Sequence, residues 1–397
     1  MKKALSLLLA CLLLFSVTSG FAASKSKLRY TLETEGKIVL QDTEDRNITP
    51  LDDLAPNPVI DGESPTTGLP LSADYYQPMI VQISNPSETV VYNGKKHTFA
   101  GLGSRAPWGG QYADIMFEGI LYQSGETRLS LLFNDSFALN EPISVGPVRS
   151  ARIGHVLLMQ EWDSGLVFGG GPAKEGNDIM LMVTENGTLD AGLAFNVVDT
   201  NDWNDYTQRV KGVRSPENLD VNLVELRKTI PETTVAAQRP FLFSDVSPYT
   251  EGYDFAYSIG VDWGHKRYIS SFYYDEQENL YLRYSGTAPY LTYNSASDRS
   301  EENQEQLSFS NVIIQRVPYK YVMNSSIMPD MQAVGKGNAD IFIGGRYIPG
   351  YWIREDVESP TVFLDDKGNE LVLTRGKTFI CHLPPENLLT YSNEIAN

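Results

Sequence analysis

The sequence predicts an α+β protein of two units, a mixed α+β domain over residues 71–246 and a mostly antiparallel β domain over residues 250–390. In the first unit, strand-like and helix-like patterns alternate without the regular strand–helix–strand order of a parallel α/β sheet. In the second unit, short strand-like segments follow one another closely and are separated by turn residues. Hydrophobic residues make up 42% of the 397, so the chain can bury a sizeable core.

Local patterns define the elements of the first unit. The short turn 123–126 between two strand-like runs indicates a β-hairpin. Ser150 is a good helix N-cap, and the apolar residues behind it lie on one helical face until Gly165 ends the pattern. We therefore predict strands at 79–84, 113–122, 128–133 and 166–168, a helix after Ser150 and a second helix over 221–230.

Turn signals divide the second unit into short strands. Gly344-Gly345, Asp366-Lys367-Gly368 and Arg375-Gly376 are such signals, and the acidic segment 295–306 is typical of a surface loop. The predicted strands are 268–274, 280–284, 309–316, 340–343, 347–353, 361–364, 370–373 and 377–382.

The N-terminus indicates export. Lys2 and Lys3, an apolar run over 4–15 and small residues that fit cleavage after Ala22 make residues 1–23 a signal peptide. Two alternatives stay open, namely lipidation of Cys11 and an uncleaved membrane anchor, although the apolar run is short for a spanning helix. We expect an extracytoplasmic protein, secreted or associated with the cell envelope, with membrane contact only through this end.

Residues 24–70 are predicted to form a flexible acidic linker, because polar residues dominate and prolines punctuate the stretch. The formal net charge of the whole chain is −18. A chain this acidic repels nucleic acid and anionic membrane surfaces, so we expect no nucleic-acid partner.

Cysteine and histidine usage gives no metal or cofactor motif. If the signal peptide is removed, only Cys381 remains, so no intrachain disulfide can form. Its neighbour His382 points to the opposite face of the predicted strand, which argues against a joint site. The four histidines are scattered without metal-ligand spacing. We therefore expect no cofactor.

Three motifs occur in order and carry a family resemblance. They are Ala113-Asp114-Ile115-Met116-Phe117-Glu118, then Gly125-Glu126-Thr127-Arg128, then Gly146-Pro147-Val148-Arg149-Ser150-Ala151-Arg152. In these motifs the chain resembles the YerB-like family of Gram-positive envelope lipoproteins, a two-domain family without an established activity. The resemblance covers roughly residues 75–385 and implies a fold and a compartment. It departs at Glu217, where the family often has histidine, and in the poor lipidation box around Cys11.

Arg149 and Arg152 flank Ser150 at the start of the predicted helix, where backbone N–H groups are unpaired and the helix dipole is positive. Together with Arg128 they are a candidate phosphate or carboxylate site. The alternative is a structural network in which Asp114 and Glu118 pair with these arginines. Either an external anion or an internal carboxylate would neutralise the cluster.

The sequence gives weaker evidence for other kinds of functional site than for the arginines. Gly169–Gly171 lacks the Lys-Ser/Thr ending of a phosphate-binding loop. Asp114 and Glu118 are about 13 Å apart along a strand, beyond the range of about 5–9.5 Å used by glycosidase carboxylates. His155, on the predicted helix, is either a local acid or base or a packed residue.

These observations favour a non-enzymatic envelope protein that binds a partner protein or a cell-wall component. The alternative is an enzyme or carrier for a phosphorylated or lipid-linked envelope glycan. In that case the arginines hold the anion and Glu118 is the candidate base.

Overall fold

The computed structural model describes residues 37–40, 44–51, 55–71, 76–85, 88–98, 106–174, 176–198, 203–265, 269–321 and 329–393. The predicted signal peptide and the alternatives at Cys11 lie outside these residues. No helix in the described ranges combines the length and apolar character needed to span a membrane.

A ten-stranded sheet forms the centre of the protein. Strands are labelled in chain order throughout. From one edge to the other the sheet contains β10 (Ala194–Asn196), β7 (Gly165–Phe168), β2 (Met79–Ser84), β6 (Thr127–Phe133), β5 (Ile115–Ile120), β28 (Thr378–Leu383), β21 (Asn311–Arg316), β24 (Gly335–Ile343), β25 (Arg346–Arg354) and β26 (Val362–Leu364).

Six of these strands form two parallel groups that run in one direction, and β25 also runs in that direction. Neighbours are parallel within the groups β10–β7–β2 and β5–β28–β21, and β6 is antiparallel to both β2 and β5. The C-terminal ends of the six strands therefore meet at one edge of the sheet, which we call the carboxyl edge. Ligand sites in sheets with parallel strands lie at such an edge.

A second, seven-stranded sheet packs face to face on the first. The two sheets share one hydrophobic core, in which the rings of Phe272 and Phe379 lie 5.0 Å apart. The strands are β1 (Lys37–Leu40), β29 (Leu389–Ser392), β14 (Ser258–Asp262), β15 (Ile269–Asp275), β16 (Leu280–Ser285), β17 (Ala288–Pro289) and β20 (Ser308–Phe309), which pairs with β16.

Short ribbons and helices complete the described fold. The ribbons are β3 (Thr89–Tyr92) with β4 (Lys95–Thr98), β8 (Ala173–Lys174) with β9 (Asn177–Asp178), β11 (Thr207–Arg209) with β12 (Leu219–Val221), β13 (Leu242–Ser244) with β27 (Val372–Thr374), β18 (Leu291–Tyr293) with β19 (Gln304–Gln306), and β22 (Tyr319–Tyr321) with β23 (Pro329–Met331). The helices are α1 (Ile153–Trp162), α2 (Ile179–Glu185) and α3 (Leu223–Arg227), with 3-10 turns at Gly110–Tyr112, Asp135–Leu139 and Glu301–Asn303.

Helix α1 covers the outer face of the ten-stranded sheet. Val156 and Leu158 of the helix share a buried cluster with Ile80 and Phe117 of the sheet. Because the inner face of the same sheet packs on the second sheet, its central strands are buried on both sides. Buried runs such as Met79–Ser84 follow from this three-layer arrangement.

The architecture is mostly β rather than evenly α+β. The predicted helix after Ser150 is present as α1, but its N-cap is Arg152 and not Ser150, whose hydroxyl donates to the carbonyl of Gly169 instead. The helix predicted over 221–230 is shortened to Leu223–Arg227. Strand residues far outnumber helical ones even in the first unit. Both predicted helices are therefore present but shorter than expected, and helix α2 was not predicted.

The units 71–246 and 250–390 share the central sheet. β5 of the first unit pairs in parallel with β28 of the second, from Ile115 opposite Thr378 to Gly119 opposite His382. Such pairing joins residues more than 250 positions apart, and no local pattern signals it. The predicted boundary therefore separates two segments of the chain, but these segments do not form two separate sheets.

The predicted flexible linker 24–70 also differs from the structure where the chain is described. Arg46 Nη2 lies 2.5 Å from Asp340 Oδ1, and Thr66 Oγ1 donates to Asp114 Oδ2 at 3.0 Å. Ser64, Thr66 and Thr67 are buried. Arg46 and Thr66, which were predicted to lie in a solvated linker, donate hydrogen bonds to buried carboxylates. The described part of 44–71 therefore packs on the fold.

Candidate anion site

Polar side chains replace apolar ones toward the carboxyl edge of the sheet. On the face that carries α1, Ile80 of β2 is followed by Gln82 and Ser84. Gln82 lies opposite Ser130, and Ser84 lies opposite Arg128, both on the neighbouring β6. All four of these polar residues are buried.

The segment before α1 closes over this polar end. The backbone N–H of Arg149 donates to the carbonyl of Gln82 at 2.7 Å, which ties the segment to β2. Ser150 Oγ donates to the carbonyl of Gly169 at 3.0 Å, and the N–H of Ala151 donates to the carbonyl of Gly170 at 2.9 Å. The glycine loop after β7 and the arginine segment, separate in sequence, therefore lie side by side.

Three arginines converge here, and we call Arg128, Arg149 and Arg152 the arginine cluster. Arg128 Nη1 donates to the carbonyl of Ser150. Arg152 donates through Nη1 to the carbonyl of Ala151 at 2.7 Å and through Nη2 to Tyr122 Oη at 3.4 Å.

Carboxylates are scarce around the arginine cluster. Arg149 Nη2 lies 3.5 Å from Glu217 Oε1, at the position where the resembling family often has histidine. Within the described ranges, neither Arg128 nor Arg152 forms an ion pair with a carboxylate. Buried guanidinium groups are usually paired, so this arrangement is unusual for a purely structural cluster.

The cluster also holds an excess of hydrogen-bond donors. The Nε–H groups of Arg128, Arg149 and Arg152 and the side-chain nitrogen of Gln82 are buried without an acceptor. Arg128 is 5% exposed and Arg152 is 9% exposed. Most buried polar groups in proteins find a partner, so several unpartnered donors in one place indicate a site that lacks an acceptor of its own.

The pKa shifts of the arginines agree with a cluster whose positive charge is not fully neutralised. Burial lowers the pKa of Arg128 well below its ordinary value, and the charges of Arg152 and Arg149 lower it further. The pKa of Arg152 is likewise lowered, chiefly by burial, although Tyr122 opposes the shift. A bound anion would relieve this repulsion.

Two histidines adjoin the cluster. His155 Nδ1 accepts the backbone N–H of Arg152 at 3.0 Å, which leaves Nε2 as the protonated nitrogen of the neutral ring. Burial lowers the pKa of His155, as do the charges of Arg128 and Arg152. The ring of His382 stacks on Phe117 at 5.8 Å, and burial lowers its pKa to about 3. Both rings are therefore neutral near pH 7.

A small cavity of about 20 Å³ lies beside Arg152 and the two histidines. Ser130, Arg152, His155, Tyr319 and His382 are among its lining residues. Its volume suffices for about one water-sized group. Arg149 and Ser150, which do not line this cavity, are partly exposed, so the cluster is reached from solvent at these two residues.

The structural network predicted from the sequence requires Asp114 and Glu118 to pair with the arginines, and neither of them does. Glu118 is fully buried toward the second sheet, where Arg283 Nη2 lies 2.9 Å from its Oε2 and Ser270 and Thr127 donate to it. Asp114 accepts from Thr66 and from the N–H of Asp135. Burial and the charge of Asp135 raise its pKa well above the ordinary value.

Sequence reasoning missed Gln82, Tyr122 and Glu217 as neighbours of the cluster. Gln82 and Glu217 are brought there by strand pairing, and Tyr122 lies just beyond β5. The described residues contain no group of three or more histidine, cysteine or acidic side chains suited to a metal ion.

Comparisons with known proteins give the family. The N-terminal domain of a protein of unknown function, DUF3048, matches residues 102–236, and its C-terminal domain matches residues 259–380. A solved structure of YerB from Bacillus subtilis resembles the chain with a TM-score of 0.60 and 22% identity, over 81% of this chain and 96% of that one. The search of curated proteins gave no match. Because the two matched domains together span more than half of the sequence, the chain belongs to the YerB-like DUF3048 family.

Proposed function

We propose that the protein is an exported cell-envelope protein that binds a negatively charged group of a cell-wall component or envelope partner at the arginine cluster, without catalysis. The observation that carries this proposal is the set of buried N–H donors on Arg128, Arg149, Arg152 and Gln82 that have no acceptor. Donors at a helix start beside a positive dipole end are the usual means of holding an anion.

The proposed location rests on the signal-like residues 1–23. N-terminal sequencing of the protein recovered from its native envelope tests it. A chain that begins at Ala23 supports cleavage after Ala22. A blocked chain that begins at Cys11 supports the lipid anchor instead, and an intact Met1 in the cytoplasmic fraction contradicts export.

A polar cleft of about 840 Å³ supports a ligand rich in hydroxyl groups, such as a wall polymer. It is lined by Asn204, Tyr206, Gln208 and Asp220 among other residues. Asp220 follows Glu217 by three residues, so their Cα atoms are at most about 10 Å apart. A polymer held by its anion at the arginine cluster would therefore have a polar surface within reach of its next units.

The second candidate function is catalysis on a phosphorylated or lipid-linked glycan. His155 and His382 favour it, because both line the same cavity as Arg152 and both are neutral near pH 7. Glu118 no longer fits the role of base, since it is fully buried and paired with Arg283. Release of phosphate from wall polymer by the wild-type protein, lost in His155→Gln, would favour catalysis over binding.

Co-sedimentation with isolated Gram-positive cell walls tests the binding proposal. The walls are used intact and after chemical removal of their anionic polymers. We expect the wild-type protein to sediment with intact walls only, and Arg149→Gln to lose most of this binding. Lys95→Gln, which removes one exposed positive charge on the β3–β4 ribbon, is the matched control and should behave as wild type. Equal sedimentation of both variants contradicts the proposal.

A further inference from the structure

The charge of the arginine cluster selects among anions. Arg128, Arg149 and Arg152 bring three positive charges, and Glu217 is the carboxylate that contacts them within the described ranges. His155 and His382 add no charge near pH 7, because both have lowered pKa values. Tyr122, the remaining titratable contact, is a hydrogen-bond acceptor for Arg152. A net excess of two positive charges is neutralised fully by a dianion and only half by a monoanion.

The number of unpartnered donors leads to the same class of ligand. Three Nε–H groups and the Gln82 side-chain nitrogen lack acceptors. A carboxylate offers two oxygens, whereas the end group of a phosphate monoester offers three strongly accepting oxygens. Donors that come from four separate side chains suit such a pyramidal group better than a planar carboxylate.

Access restricts how the anion enters. The cavity beside Arg152 has a volume of about 20 Å³ and is walled partly by apolar side chains, among them Phe117, Leu158 and Met331. It admits a single oxygen-sized group. A phosphodiester has a second chain in place of one terminal oxygen, so it offers two accepting oxygens instead of three and carries one negative charge instead of two. A terminal monoester needs one chain only, which leaves on the solvent side at Arg149 and Ser150.

We propose that the arginine cluster recognises the dianionic form of a terminal phosphate monoester, in preference to phosphodiesters and carboxylates. This inference rests on the proposed function, because it names the anion that the same site would bind. In the envelope, the corresponding ligand is a chain end or sugar that carries a phosphate, rather than the diester backbone of a polymer.

Isothermal titration calorimetry with methyl phosphate, dimethyl phosphate, acetate and sulfate at constant ionic strength tests the inference. We expect methyl phosphate to bind at least about tenfold more tightly than dimethyl phosphate or acetate, since charge-assisted hydrogen bonds dominate. Its affinity should fall about tenfold from pH 7 to pH 5, because the second phosphate pKa is about 6. Sulfate, a dianion throughout, should bind without this pH dependence.

The variants Arg149→Gln and Lys95→Gln separate the outcomes. Loss of methyl phosphate binding in the first alone supports the inference. Equal affinity for dimethyl phosphate and methyl phosphate overturns the monoester preference but leaves an anion site. If none of the four anions binds the wild-type protein, both this inference and the proposed anion site are overturned.

Discussion

Arg128 illustrates how a binding residue can lower the stability of its own protein. Arg128 is 5% exposed, and its guanidinium has no ion pair with a carboxylate in the described ranges and leaves its Nε–H without an acceptor. Burying an uncompensated charge is costly, and binding sites often retain such groups at the expense of stability.

We therefore expect Arg128→Met to raise the free energy of unfolding of the ligand-free protein by about 1–2 kcal/mol. The methionine keeps most of the volume, and water can replace Arg128 at the partly exposed Ser150 carbonyl. Urea unfolding followed by tryptophan fluorescence measures the change. A clear loss of stability would mean that Arg128 is a structural residue and not a ligand-binding one.

Asp114 gives a prediction about pH. Its pKa is raised well above the ordinary value by burial and by Asp135, so the folded protein holds this proton more tightly than the unfolded chain does. Its contribution to stability is therefore present below the unfolded pKa of about 3.9 and is lost as pH rises through the folded pKa. We expect Asp114→Asn to be more stable than wild type at pH 8 and to lose this advantage on acidification.

Melting temperatures of wild type and Asp114→Asn between acidic and alkaline pH provide the measurement. Only the difference between the two proteins is informative, because the lowered pKa values of His155 and His382 destabilise both proteins in acid. A difference that is constant with pH would contradict a raised pKa for Asp114.

Single residues differ in how far the sequence predicted them. Arg149, Ser150 and Arg152 lie in one short motif at a helix start, so their proximity is local. Arg128 was grouped with them through the family motifs, and its contact with the Ser150 carbonyl brings it to the same place. Gln82 and Glu217 could not be assigned in advance, since their positions depend on strand register, which one sequence does not determine.

At the scale of elements, the Glu118–Arg283 pair joins the two sheets. Glu118 of β5 and Arg283 of β16 are both essentially inaccessible and lie 2.9 Å apart. Removing one partner of a buried ion pair leaves the other charge uncompensated, which costs about 3–5 kcal/mol.

We expect Arg283→Met to destabilise the protein by this amount, and the double variant Glu118→Gln with Arg283→Met to recover part of the loss. Chemical denaturation of both variants and of Glu118→Gln completes a double-mutant cycle. If Arg283→Met has no effect on the unfolding midpoint, the pair does not hold the sheets together.

Strands were easier to predict individually than as a sheet. The predicted strands 79–84 and 128–133 correspond closely to β2 and β6, because alternation and turn residues are local signals. The parallel pairing of β5 with β28 was not predictable, since no residue near either strand specifies a partner from the far end of the chain. That pairing places His382 of β28 opposite Gly119 of β5 and so brings this histidine to the carboxyl edge.

At the scale of the whole molecule, the shared sheet makes the two units depend on each other. β28 and β21 come from the second unit and lie directly beside β5 of the first. We expect the fragments 71–246 and 250–393, expressed separately, to lack cooperative unfolding, because each exposes a long strand edge and half of a core.

Mixing the two fragments should restore a cooperative transition and the near-ultraviolet circular dichroism of the intact protein. A fragment that unfolds cooperatively by itself would show that the first and second units are independent domains.

The central claim is that the arginine cluster binds an external anion, and a sulfate titration of the melting temperature tests it most directly. At constant ionic strength, a ligand that binds only the folded protein raises the melting temperature with its concentration. We expect millimolar sulfate to stabilise the wild-type protein. Without sulfate, the Arg128→Met variant should have a higher melting temperature than the wild-type protein, and sulfate should change it little. The account would be contradicted if sulfate did not change the melting temperature of the wild-type protein, or if it changed the melting temperatures of both proteins equally.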